Sequence, residues 1–158
     1  MGLIMGLNMY LYGLNDEDLE TFTKVKKLIQ EYDGGYYTDE IKDLLNDFWD
    51  KEGDDLAHWR KANAIHKFFC DRGEVIDKDI YYIITREDLG QLLHLCIQIL
   101  VMQDEEYSYC NLPTQKGFFF GSLEYDSCYY EKVQNTIEML SKILKEYKYD
   151  KFLYYASW

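Results

Sequence analysis

The sequence predicts an α+β fold that is mainly helical, with about five helices packed on a small sheet formed by N-terminal, central and C-terminal short strands. Three observations predict it. Long stretches place apolar residues at helical spacing behind residues that cap helices well. Three short segments rich in aromatic and β-branched residues read as strands, and such strands form one sheet that helices cover. The 158 residues are 47% hydrophobic with one proline and 10 glycines, which supplies a core and leaves little room for linkers. Residues 1–158 are therefore read as a single domain.

Residues 4–12 contain Asn8-Met9-Tyr10-Leu11-Tyr12 and read as the first strand. Asp16 to Glu31 reads as a helix capped by Asn15, with Leu19, Phe22, Val25, Leu28 and Ile29 at helical spacing. Gly34-Gly35 breaks it. Thr38 caps a second helix striped by Ile41, Leu44, Leu45 and Phe48, with acids in its first turn where the helix dipole favours them. Gly53 ends it. A third helix is expected from Asp54 or Asp55 to about Asp71, stopped by Gly73. Tyr81 to Ile84 reads as the central strand, and Thr85 caps a fourth helix to about Gln103, with Leu89, Leu92, Leu93, Cys96, Ile97 and Leu100 inside. An acidic turn follows. Ser122 is expected to cap a long last helix, about Leu123 to Tyr147, with Val133, Ile137, Leu140 and Leu144 facing in. Phe152 to Trp158 is the C-terminal strand.

The formal net charge of -12 argues against direct binding of nucleic acid, because an acidic surface repels phosphate backbones. The same field suits a basic partner, including a protein whose natural ligand is DNA or RNA. Residues 1–50 carry 11 acids against four lysines, a net of -7, within an acidic helical region of about 15–52. The candidate partner-binding face is Asp16, Glu17, Asp18, Glu20, Asp39, Glu40, Asp43, Asp47 and Asp50; the alternative is an ordinary solvated helical face. Cys70, Cys96, Cys110 and Cys128 are spread singly and read as buried free thiols of a reducing compartment. The apolar Met1 to Met5 lacks a basic region and soon meets acidic sequence, so neither a signal peptide nor a membrane span is expected, and a cytoplasmic location is.

One cluster is not demanded by local structure. On a helix, Ala62, Ile65, His66, Phe69 and His58 fall on one side, Trp59 at its edge, Asn63 just past it and Arg60 beyond. Inward-facing polar groups need partners, so Asn63 and His66 either clamp the helix to nearby backbone or meet a ligand. In the second reading Trp59, Arg60, Asn63 and His66 join Gly117, Gly121, Ser122 and Tyr125 in a pocket. Arg60 would fork onto a carboxylate or phosphate there. The Gly117–Ser122 turn precedes a helix N-terminus, where anions are attracted, but matches no phosphate-loop pattern. Histidine and cysteine spacing supports no metal. No motif places a base beside a nucleophile, so no catalytic residue and no cofactor is expected.

The order of segments resembles a family of small bacteriophage and prophage proteins. Four motifs carry the resemblance: Met5 to Leu11, Trp59 to His66, Leu112 to Ser122 with Tyr125-Asp126, and Tyr155 to Trp158. Asn8 stands where the family pattern has Asp, and His58 where it has Tyr. The family has no established activity, so the resemblance implies a phage context and not a mechanism. The resulting expectation is a counter-defence, anti-CRISPR-like protein in the cytoplasm of a bacterial host. It would inhibit a host defence protein by filling a basic nucleic-acid-binding groove. The alternatives are a small-molecule binder that sequesters a nucleotide immune signal and, more weakly, a nucleotide-processing enzyme.

Overall fold

The computed structural model describes residues 6–32, 36–117 and 119–158. The fold is α+β, with six helices among those residues and one five-stranded antiparallel sheet. In chain order the elements are β1 (Asn8–Leu14), α1 (Asp16–Glu31), α2 (Asp39–Lys51), β2 (Ala57–Arg60), α3 (Asn63–Arg72), β3 (Glu74–Asp77), β4 (Tyr81–Thr85), α4 (Arg86–Met102), α5 (Glu105–Asn111), α6 (Ser127–Glu146) and β5 (Lys151–Ser157). The strand order is β2-β1-β5-β4-β3. The N-terminal, C-terminal and central strands are thus adjacent, with Tyr10 opposite Tyr155 and Tyr155 opposite Tyr81.

Strand alternation divides the interior into two layers of core. Met9, Leu11, Trp59, Tyr82, Ile84, Phe152 and Tyr154 face one way and pack with α3, α4 and α6. Leu14, Tyr81, Ile83 and Leu153 face the other and pack with Phe22 and Val25 of α1 and Ile41, Leu45 and Phe48 of α2. β5 lies in the middle, and its Phe152, Leu153 and Tyr154 are wholly buried.

The caps on α1, α2 and α4 follow the sequence. Asn15 and Asp18 form a reciprocal capping box, as do Thr85 and Asp88, and Thr38 accepts from the Ile41 N–H. α1 ends at Glu31; the expected Gly34-Gly35 break and the start of the first strand at Ile4 lie outside the described residues. The α6 C-terminus is closed from another element: the Arg86 guanidinium donates to the carbonyls of Leu144 (2.6 Å) and Tyr147 (2.8 Å).

Four expectations are corrected. The third helix does not begin at Asp54 or Asp55. Ala57 to Arg60 is strand β2, paired with Leu11 to Asn8, and its alternation puts Ala57 and Trp59 in and His58 and Arg60 out. Lys61, at φ 54, turns the chain, and the helix starts only at Asn63. The acidic turn after Gln103 is helix α5, capped by the Asp104 carboxylate on the Tyr107 N–H. The last helix is capped by Asp126, not Ser122, and starts at Ser127. Ile97 is exposed, with Ile99 taking the buried position on α4.

Candidate functional site

The clamp at the start of α3 is built first, from Asn63. Its Nδ2 donates to the carbonyls of Phe120 and Ser122, both at 3.0 Å, and its Oδ1 accepts from the Gln115 N–H at 3.0 Å. The amide is fully used inside the protein, and the residue is 3% exposed. It ties the 115–122 loop to the helix. The same loop reaches the sheet, because the Leu7 N–H donates to the Phe119 carbonyl and the Lys61 N–H to the Leu7 carbonyl. Trp158 packs edge-on against Phe120 and His66. Parts of all four motif segments therefore meet at one place.

Two glycines make the loop fit. A Cβ on Gly117 would collide with the Phe120 ring. Gly121 sits at φ +92, and a Cβ there would lie 3.1 Å from the Lys61 Cβ. Thr114 closes the loop: its hydroxyl donates to the Leu123 carbonyl, and its N–H to the Tyr125 hydroxyl at 3.1 Å. Ser122 Oγ accepts from the Glu124 N–H.

His66 is wholly buried beneath this clamp. Its Nδ1 lies 2.6 Å from the Tyr154 hydroxyl, and the Cys70 Sγ lies 3.4 Å from Nε2. Burial lowers the His66 pKa to about 4, against a small opposing pull from Asp79. Burial likewise pushes the Cys70 thiol up to about 11 and the Tyr154 phenol well above its ordinary value. All three groups are neutral near pH 7. A neutral thiol beside a neutral imidazole is the opposite of the ion pair that thiolate chemistry uses.

On the same side of the sheet, a cavity of about 220 Å³ opens between the first turns of α3 and α6. Its apolar wall is Ala62, Ala64, Ile65, Tyr129 and Val133, with Lys61, Lys132, Glu124 and Asp126 also lining it. Ala62, the N-cap of α3, offers no side-chain acceptor. Among the described residues, the N–H groups of Asn63, Ala64 and Ile65 meet no hydrogen-bond acceptor, and intrahelical bonding begins with the His66 N–H to the Ala62 carbonyl.

Of the eight residues expected to form a ligand pocket, Asn63, Gly121 and Ser122 line this cavity. The other five do not. The Trp59 indole is buried and donates to Thr136 Oγ1 at 2.9 Å. Arg60 points to the opposite face of the sheet, 3.4 Å from Asn8 Oδ1. His66 belongs to the buried trio, Gly117 packs on Phe120, and Tyr125 is engaged with Thr114. Lys61 and Lys132 were not singled out by sequence; Lys132 stands in an ordinary amphipathic helix and carries no local signal.

The acidic candidates lie on the far side of the sheet, on α1 and α2. Two of them serve the fold: Asp18 closes the capping box on the Asn15 N–H, and Glu17 pairs with Lys51 at 2.9 Å. Asp16 and Glu20 are exposed on α1. Asp39, Glu40, Asp43, Asp47 and Asp50 are all exposed on α2. At 3.6 residues per turn they fall within an arc of about 100°, opposite the buried Ile41, Leu45 and Phe48. Among the described residues none of the five forms a salt bridge.

The four cysteines are free; Cys96 is buried and Cys70 half-buried, but Cys110 and Cys128 are exposed, contrary to expectation. The described residues contain no group of three or more histidine, cysteine or acidic side chains placed to hold a metal ion. No described helix is long and apolar enough to cross a membrane. No family model matches the chain, and neither a curated protein nor a solved structure matches it.

Proposed function

We propose that this chain is a phage-encoded counter-defence protein that binds stoichiometrically to a host defence protein and fills its basic nucleic-acid-binding groove. The observation that carries the reading is the row of five exposed carboxylates along α2, none of them in a salt bridge among the described residues. With a rise of 1.5 Å per residue, Asp39, Asp43 and Asp47 are spaced about 6 Å apart along the axis, and the row to Asp50 runs about 16 Å. A nucleic-acid strand carries a phosphate about every 3.4 Å of helix axis, so the row spans roughly five phosphates. Burial of Ile41, Leu45 and Phe48 holds the row on a fixed helix, so its charges arrive in place rather than being ordered on binding. A net charge of -12 adds long-range steering toward a cationic surface. The phage setting, and with it the bacterial cytoplasm, rests on the motif resemblance.

The test starts from proteins captured by the tagged chain in a bacterial host lysate. Each captured nucleic-acid-binding protein is loaded with fluorescent duplex DNA, and displacement is followed by polarisation. The expected result is loss of DNA at about one equivalent, abolished in a variant carrying D43K, D47K and D50K. Undiminished displacement by that variant, or DNA retained by every captured protein, rejects the reading.

A further inference from the structure

We infer that the cavity between the first turns of α3 and α6 is a binding site for a compact organic monoanion with an apolar body. The inference is independent of the acidic row, which lies across the sheet. Size sets the first limit. A dry cavity of about 150 Å³ already admits benzene. The 220 Å³ here admits a ring plus a short acidic arm. The wall supplies the apolar contact, through Ala62, Ile65, Tyr129 and Val133.

Charge sets the second limit. Lys61 and Lys132 line the cavity, and among the described residues neither has a carboxylate within salt-bridge distance. Beside them are the three N–H groups of Asn63, Ala64 and Ile65 that meet no acceptor, on residues at most 7% exposed. First-turn N–H groups have no intrahelical acceptor, and these three belong to residues that line the cavity. Of the two acids in the lining, Asp126 is engaged as the cap of α6, accepting from the Tyr129 N–H. Glu124 is exposed. Two cations against two carboxylates leave no net positive charge, which disfavours a polyphosphate, so the anion is limited to the one charge that the first-turn N–H groups and the lysines can meet.

The test uses phenylacetate, its neutral counterpart benzyl alcohol, inorganic phosphate and AMP as probes on the full chain, read by thermal shift and calorimetry. The expected result is a concentration-dependent rise in Tm with phenylacetate, because a ligand of the folded state raises its melting point. Benzyl alcohol and phosphate should each bind at least tenfold more weakly. Lys132→Gln should weaken phenylacetate about fivefold or more, and Ala64→Phe, which fills the cavity, should abolish it. Amide chemical shifts of Ala64 and Ile65 should move on titration, which keeps the test decisive if A64F does not fold. Equal binding of benzyl alcohol, absence of any shift at millimolar phenylacetate, or affinity unchanged in K132Q each overturns the inference. So does tighter binding of AMP, which would give the cavity to a nucleotide.

Discussion

Replacing Asn63 by alanine tests the clamp on which the loop and the cavity wall depend. The substitution removes two donors and one acceptor and strands the Phe120 carbonyl, the Ser122 carbonyl and the Gln115 N–H. The Phe120 bond is buried, so that acceptor loses its partner where water does not reach, at about 1–3 kcal/mol. The other two bonds are half-buried and water recovers part of each, leaving about 0.5 kcal/mol apiece. The total is about 2–4 kcal/mol, or a fall in Tm of about 4–16 °C for a chain of this size. Asn63→Asp separates hydrogen bonding from helix capping. It keeps the acceptor and gains about 0.3–1 kcal/mol as an anion in the first turn of α3, but turns a carboxylate oxygen on two carbonyls. It should therefore be at least as destabilising as alanine. Urea unfolding of wild type, N63A and N63D, with equal m-values, measures both. A loss below about 0.5 kcal/mol in N63A, or wild-type stability in N63D, would refute the clamp.

Stability should fall as pH drops from about 6.5 toward 4. His66 stays neutral when folded and charges when unfolded, so its contribution is full above the unfolded pKa. The shift from 6.5 to about 4 corresponds to about 3 kcal/mol at most, and urea midpoints across this range should lose that slope in His66→Phe. Two glycine changes should have opposite signs. Gly121→Ala, at φ +92 and against Lys61, should cost about 1–3 kcal/mol, whereas Gly90→Ala on α4, whose Cβ meets nothing within 4 Å, should add about 0.5–1 kcal/mol. Under native conditions a disulfide reagent at pH 8 should modify Cys110 and Cys128 quickly, Cys70 slowly and Cys96 only on unfolding, in line with exposure and the raised thiol pKa values of the last two.

Helices α1, α2 and α4 were legible because their signals are local: a cap, acids in the first turn and a stripe over three or more turns. β2 was not, because four residues of alternation between two helical runs are indistinguishable from one turn of a longer helix. What makes Ala57–Arg60 a strand is its pairing with β1, some fifty residues away. The misplaced start of α6 has a similar cause. Ser122 and Asp126 are both good caps, and the choice falls to the loop closure by Thr114 and Asn63, which local sequence does not carry. For the candidate site, Asn63 and His66 stood out as polar residues in an apolar setting, and both are buried and fully engaged. Their partners come from residues 115–122 and from Tyr154, so the sequence marked the residues without revealing that one belongs to a clamp and the other to a neutral trio. The α2 acids were visible as charge; their single arc and, among the described residues, their absence from any salt bridge required the helix and its neighbours in three dimensions.

Strand β5 follows the other four in the sequence yet sits in the middle of the sheet. Without residues 151–157, β1 with β2 and β4 with β3 are two separate hairpin-like halves, each showing a bare edge and one flank of aromatic side chains. A chain without β5 therefore lacks far more than seven residues, because neither half can join the other without the piece that both pair with. The sheet therefore closes in one step when β5 is inserted, and deletions within residues 151–157 should yield insoluble product rather than a slightly weakened fold.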